Sequence, residues 1–206
     1  MTEKVIVIGA GIGGLCTALM LQPTGREILL LERDGPIGTD EPDELFRTWK
    51  RTGVGHVRQS HAFLARLRTI LKDEHPALLE SLLSHGAREL TFDMMLTEQQ
   101  QESYRAKPED AALTIITSRR TTLEMVIRRY VESLPKVTVQ SGFFVRKLIT
   151  KKEPDGTFAV SGVEGDHDDT PTVVTADLVV DASGKGGFTI EQLMDEGANI
   201  REESET

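Results

Sequence analysis

Val5-Ile6-Val7-Ile8-Gly9-Ala10-Gly11-Ile12-Gly13-Gly14-Leu15, answered by Ile28-Leu29-Leu30-Leu31-Glu32-Arg33, is the stretch whose reading decides the fold. Residues 4–8 form a contiguous, mostly β-branched apolar run and read as a buried strand. Residues 9–14 are a glycine-dense turn. Residues 12–21 read as a helix, closed by Pro23-Thr24-Gly25. Residues 27–32 are a second short apolar strand. Strand, turn, helix and strand within about 30 residues make a βαβ crossover. Two continuously apolar strands predict a parallel sheet covered on both faces.

Gly9-x-Gly11-x-x-Gly14 is the spacing of a dinucleotide-binding turn. Gly9 lets the chain turn tightly out of the strand, Gly11 lets a pyrophosphate approach the backbone, and Gly14 lets the helix pack on the sheet. The helix start then offers N–H groups and a partial positive charge to phosphate. Glu32 ends the second strand, roughly 20 residues on, where a carboxylate accepts hydrogen bonds from ribose hydroxyls. A carboxylate there repels a 2′-phosphate, which weighs against NADP. Gly9, Gly11, Gly13, Gly14, Glu32 and Arg33 are therefore the candidate cofactor-binding residues of this segment. NAD and FAD share the fingerprint, and a glycine turn without ligand is the bland alternative.

Working outward, residues 34–44 read as a Gly/Pro/Asp-rich loop. Residues 60–72 carry Phe63, Leu64, Leu67, Ile70 and Leu71 at helical spacing. Residues 76–85 continue as a helix that Gly86 terminates, and residues 98–110 read as a polar loop. Residues 113–117 read as a strand and residues 122–134 as an amphipathic helix. Residues 137–140 and 143–150 are strands. Residues 158–163 and 172–175 form a hairpin joined by an acidic loop at 164–169. Residues 178–182 are a strand leading into Ser183-Gly184-Lys185-Gly186-Gly187.

The chain has 206 residues, a hydrophobic fraction of 38% and a net charge of −9. That length buries a core without disulfides, and the acidic balance argues against a nucleic-acid binder. Cys16 is the single cysteine, so no intrachain disulfide forms. No apolar run reaches the ~18 residues of a membrane span, and the N-terminus lacks a signal-peptide layout. The expected location is cytoplasmic. His56 and His61 flank Arg58 and Gln59 without further ligands at metal spacing, so no metal site is expected. Cys16 reads as a small packed helix residue.

The glycine turn with Leu31-Glu32-Arg33 resembles the FAD-dependent oxidoreductases of the para-hydroxybenzoate hydroxylase and geranylgeranyl reductase superfamily. Ser118-Arg119-Arg120-Thr121-Thr122-Leu123-Glu124 is similar to that family's Ser-Arg-x-x-Leu helix start. The family's arginine there contacts the flavin nucleotide, which the resemblance carries to Arg120. Val137-Thr138-Val139-Gln140-Ser141-Gly142 with Val145-Arg146-Lys147-Leu148 is similar to the strand pair that follows. Ala176-Asp177-Leu178-Val179-Val180-Asp181-Ala182-Ser183-Gly184 resembles the strand entering the family's Asp-Gly loop, here Ser183-Gly184. Val57-Arg58-Gln59-Ser60-His61 with Leu64 resembles a segment of the family's bacterial branch. The halogenase Trp-x-Trp-x-Ile-Pro segment is missing, since Trp49 is the single tryptophan. The family's Gly-Asp motif and most of its substrate-binding sheet normally lie past residue 206. The resemblance therefore implies a C-terminal half or a partner chain beyond this sequence.

These readings predict an α/β fold: a Rossmann-like FAD-binding domain with a parallel central sheet, a helical excursion and a small antiparallel β hairpin. Residues 1–190 would form that domain and residues 191–206 a polar tail. The resemblance implies a flavin-dependent, monooxygenase-like oxidoreductase acting on a small organic substrate. FAD is the cofactor, and NAD(P)H is left open as electron donor. Arg120, Ser183 and Gly184 join the candidate cofactor residues, and no catalytic acid or base is assigned. Two other readings stay open: a non-catalytic or partner-requiring FAD-binding fragment, and an NAD-dependent dehydrogenase.

Overall fold

The computed structural model describes residues 2–39, 41–185 and 187–201. The chain divides into two compact units, Met1–Pro36 with Val131–Thr206, and Ile37–Tyr130.

The first unit is built on the predicted crossover. Strand β1 spans Lys4–Ile8, helix α1 Ile12–Leu21 and strand β2 Glu27–Glu32. A short 3-10 turn, Gln22–Thr24, follows α1, and Gly25 closes it in the left-handed region. Counting strands along the whole chain, β6 is Val137–Ser141 and β10 is Leu178–Asp181. These four strands form a parallel sheet in the order β10-β1-β2-β6. The alternating side chains of β1 reach two faces. Ile6 and Ile8, with Leu31, pack into a buried cluster with Phe143, Val145, Leu148 and Val163. On the other face Val7 touches the glycine-rich start of α1, where Leu15 and Ala18 are fully buried. Each buried Val, Leu or Ile among them contributes about 1.5–3 kcal/mol.

The apolar partners of the first face come from a three-stranded antiparallel sheet. It consists of β7, Phe143–Lys152, β8, Phe158–His167, and β9, Thr170–Thr175. The stretch read as an acidic loop is mostly strand: residues 164–167 stay paired, and only Asp168 and Asp169 turn. Both have positive φ, 47° and 62°. That is the two-residue hairpin turn whose twist suits the flanking strands, and Asp tolerates it better than most residues. Acidity marked the turn correctly but overstated its length.

Helix α7, Thr189–Asp195, begins before residue 191 and runs into the stretch read as a polar tail. Phe188 and Leu193 pack on the Ile6 cluster. The Gln192 side chain accepts from the Leu148 N–H at 2.7 Å and donates to its carbonyl at 3.0 Å. Two apolar anchors were enough to dock a segment that composition alone marks as solvated. The described residues end at 201, so the rest of that polar stretch, residues 202–206, lies outside them.

The second unit holds the helical excursion. Helix α2 is Pro42–Thr48, α3 Ala65–Glu74, α4 Pro76–Ser84 and α5 Glu98–Ser103. Strands β3, Ser60–Phe63, and β4, Arg88–Leu90, flank β5, Ile115–Arg119, in an antiparallel sheet. Helix α6 is Arg120–Glu132, its last two residues counted with the first unit. Three expectations need correction. The loop at 34–44 gives way to α2 at Pro42, a residue suited to a helix start. Residues 60–63 pair with β5 instead of opening a helix, because a tertiary ladder overrides the helical spacing that begins at Phe63. The polar loop at 98–110 contains α5, which a reciprocal Thr97–Gln100 capping box holds. Gly86 ends α4 with φ +93° as expected.

Candidate functional site

The glycine turn leaves β1 at its carboxyl end. Gly9 has φ +94°, and a Cβ there would sit 2.8 Å from the Ala182 carbonyl oxygen. Gly14 is closer still: an added Cβ would stand 1.9 Å from the Gly9 oxygen. The turn thus folds back on the helix it opens, and only a hydrogen fits between them. Gly13 differs, since an added Cβ there would meet nothing within 4 Å. No packing demand of the described protein accounts for that glycine. Gly11 is the N-cap of α1 in extended conformation, and its carbonyl accepts from Leu15 at 2.9 Å.

No side chain caps α1, and its first turn carries no acidic residue. The helix start therefore presents its N–H groups and partial positive charge uncompensated by side chains. Glu32 is buried at the end of β2. One of its carboxylate oxygens accepts from the Ala10 N–H at 2.9 Å and the other from the Asp34 N–H at 3.0 Å. The acid is aimed into the turn, and a carboxylate has about four acceptor positions in all. The cradle fits a nucleoside diphosphate: an open helix start for the phosphates, space at Gly13, and an acid within the turn for a sugar. Arg33, beside it, points to an exposed position.

The strand β10 brings Ser183 and Gly184 to the same edge. Ala182 donates its N–H to Ile8 at 2.9 Å, which places the loop next to Gly9. Asp181 organises it, accepting from the Ser183 N–H at 2.8 Å and from the Thr189 hydroxyl. Burial pushes the Asp181 carboxyl up, but the bonds from Ser183 and Thr189 outweigh it and leave its pKa below the usual value. Gly184 has φ +84° and open space around it. Gly9, Glu32 and Ser183 thus gather at the carboxyl ends of adjacent parallel strands, the usual ligand edge of an open α/β sheet. Asp181 was not singled out by the sequence reading, although its position two residues before Ser183 is that of a self-bonding turn.

Arg120 belongs to the second unit. Its Nε donates to Glu124 at 3.1 Å, one helical turn on. The other oxygen of Glu124 faces Arg51 Nε at 2.8 Å. Glu124 is fully buried and Arg51 nearly so, and Arg51 also lies over the Trp49 ring. Removing one partner from such a buried pair typically costs about 3–5 kcal/mol. Arg120 Nη1 lies 3.3 Å from His56 Nε2 and 3.4 Å from His61 Nε2. The two imidazoles stack with centroids 5.7 Å apart. Neighbouring Arg119 pairs with Asp43 at 2.5 Å and lies over Phe46, so it has a surface partner of its own. The sequence reading missed Glu124 and Arg51. The i, i+4 spacing of Arg120 and Glu124 was legible, whereas nothing local signals Arg51.

Cys16 is partly buried, and burial raises its thiol pKa, as for an inert packed cysteine. Among the described residues no cluster of three His, Cys, Asp or Glu could hold a metal ion. Among them no helix is long and apolar enough to cross a membrane. Two surface grooves of about 410 and 440 Å³ flank Arg146 and Lys147 and share no lining residue with the glycine turn.

Residues 7–72 match the family of NAD(P)-binding Rossmann-like domains. A multifunctional alkene reductase/demethylase of Caballeronia cordobensis is 30% identical over 86 residues, which is 42% of this chain and 13% of that protein. A probable FAD-dependent monooxygenase from Pseudomonas aeruginosa superposes with a TM-score of 0.63 at 15% identity, over 98% of this chain and 48% of its own. The p-nitrophenol 4-monooxygenase of Pseudomonas putida gives a TM-score of 0.57 at 16% identity, over 87% and 40%. A glycerol-3-phosphate dehydrogenase from Bacillus halodurans, solved with FAD, gives 0.56 at 16% identity, over 97% and 37%. The chain spans about half the length of the first of these structures or less of the others, and shares their Rossmann-like α/β fold. That is the fold the resemblance implied.

Proposed function

We propose that this chain is an FAD-binding portion of a flavin-dependent oxidoreductase of monooxygenase type, acting on a small organic substrate. The observation that carries the reading is Glu32, a buried carboxylate that accepts from the Ala10 N–H inside the glycine turn at 2.9 Å. An acid held there beside an uncapped helix start suits a ribose and a pyrophosphate together. The fold shared with FAD-dependent proteins favours FAD over NAD as the occupant.

In this reading the N–H groups at the start of α1 receive the pyrophosphate, and Gly13 leaves room for it. Glu32 accepts hydrogen bonds from the ribose hydroxyls and disfavours a 2′-phosphate. Gly11 gives the phosphates access to backbone, and Arg33 lies beside the sugar-binding acid. The loop at Ser183 and Gly184, held by ionised Asp181, borders the same turn. Bound FAD would supply two-electron redox chemistry, while these residues bind and orient it.

The test is a parallel titration of the purified chain with FAD and NAD, read by thermal shift and flavin fluorescence. FAD at a hundredfold excess over its Kd is expected to stabilise the fold by about 2.7 kcal/mol. A larger shift with NAD favours a dehydrogenase, the reading to which the NAD(P)-binding family match belongs. No response to either overturns the nucleotide site. Steady NAD(P)H oxidation by the FAD-loaded chain rules out the partner-requiring reading and supports an NAD(P)H donor.

A further inference from the structure

Glu32 is gripped at both carboxylate oxygens. One accepts from Ala10 inside the glycine turn, and the other from the Asp34 N–H at 3.0 Å. The first bond is set by the turn itself. The second depends on where the chain runs after β2, and a distant segment fixes that. Glu32 and Ser141 are the last pair of the β2–β6 ladder. One residue beyond it, Gly142 donates its N–H to the Asp34 carbonyl at 3.1 Å. The Gly142 carbonyl accepts from the Asp168 N–H at 3.0 Å, in the turn between β8 and β9. That end of the hairpin is anchored in its own right, since Phe143 pairs with His167 and their rings stack with centroids 6.0 Å apart. All of these residues belong to the first unit.

Gly142 is the joint of this relay. Its φ is +71°, and φ sets how its N–H and its carbonyl are turned relative to each other. A negative φ would keep one of the two bonds and swing the other group away. Glycine adopts positive φ without steric cost, asparagine tolerates it, and a β-branched residue resists it.

We propose that Gly142 is a positioning residue for Glu32: its left-handed backbone ties the β8–β9 hairpin to the Asp34 peptide and so fixes the carboxylate that receives the ribose. This rests on the reading of Glu32 as the sugar-binding acid. Donors on both oxygens set the carboxylate in one orientation before the nucleotide arrives, which lowers the ordering cost of binding. The hairpin then governs sugar recognition without any of its side chains touching the ligand. The Asp168 side chain is no part of the relay: it is 80% exposed, although a Cβ on Gly142 would press on its carboxylate.

The experiment removes that carboxylate first. Asp168 has φ +47°, which glycine adopts freely, so D168G is the parent of the double variants G142N/D168G and G142V/D168G. Calorimetry measures the binding of ADP and of 2′-deoxy-ADP to each. The wild type and D168G are expected to prefer ADP about tenfold, the size of one hydrogen bond to a charged acceptor. G142N/D168G should keep that preference, because asparagine holds the left-handed backbone. G142V/D168G should bind the two nucleotides within about twofold of each other, with the 2′-deoxy-ADP affinity of D168G. Without ligand, amide exchange at Asp34 should quicken in G142V/D168G and not in G142N/D168G. Should the valine variant not fold, G142A/D168G, less strained at positive φ, replaces it under the same criteria. A tenfold preference that survives in the valine variant overturns the proposal, and so does an equal loss of both nucleotides, the mark of a purely structural glycine. If the wild type binds neither nucleotide, or both alike, the sugar-acid reading falls by itself, and amide exchange decides the relay. Exchange at Asp34 that quickens only in the valine variant supports it, and unmoved exchange overturns it.

Discussion

Gly13 and Gly14 are chemically identical neighbours with opposite reasons to be glycine. At Gly14 the protein itself leaves no room, since a Cβ would stand 1.9 Å from the Gly9 carbonyl oxygen. Gly14→Ala is therefore expected to destabilise the empty chain by about 3 kcal/mol, the upper range for overpacking. At Gly13 the space is open, and alanine reduces the freedom of the unfolded chain. Gly13→Ala should stabilise the empty chain by about 0.5 kcal/mol while weakening FAD binding, because the added methyl occupies space that the phosphates need. Urea unfolding of the two variants without ligand, followed by FAD titration of Gly13→Ala, checks both signs. A Gly13→Ala chain that binds FAD as tightly as the parent removes that glycine from the cofactor set.

Among the elements, β7 shows how a strand edge is covered from far along the chain. It lies at one edge of its sheet. While Leu148 stays in register with Val163, its N–H and carbonyl bond the Gln192 side chain on α7, 44 residues away. Gln192→Leu would leave a partly buried N–H and carbonyl without that partner. The expected loss is about 2 kcal/mol, with faster amide exchange at Leu148 than in the centre of β8. Unchanged exchange at Leu148 would show that α7 docks through Phe188 and Leu193 alone. The same scale explains which elements were legible. Strands β1 and β2 appear where apolar runs predict them, because a strand covered on both faces has to be apolar throughout. Residues 60–63 were misread because a four-residue strand beside a helix carries no period of its own, and β5 supplies the reason for it.

For the whole molecule, acid sensitivity should come in two stages. His61 has a folded-state pKa below 6.5, so the unfolded chain binds the extra proton first. Its contribution is complete above about pH 6.5 and is lost as pH falls through the folded-state value. Asp181, Asp110 and Glu196 have folded values below their usual 3.8, 3.8 and 4.5. Their contributions are intact above those usual values and disappear below them. Urea unfolding at successive pH values should show an early decline that His61→Gln removes and a later one that it leaves in place. A decline that begins only in the carboxylate range would refute the first stage.

The sequence by itself determined the parallel crossover, the glycine turn and the acid answering it. All three follow from short-range rules: unbroken apolar runs, a glycine-dense turn, and a carboxylate at the end of the next strand. The turn even carries its own explanation, because Gly9 and Gly14 meet each other. Only the tertiary structure decided what surrounds Arg120. Glu124 is its helical neighbour, but Arg51, His56 and His61 lie 59 to 69 positions earlier and reach Arg120 or its partner only through folding. Charges and imidazoles carry no periodicity, so no pattern in the chain announces which of them will share a buried carboxylate or flank a guanidinium. Their roles are set by burial, which makes an unpaired charge too costly and so selects the partners that the fold brings within reach.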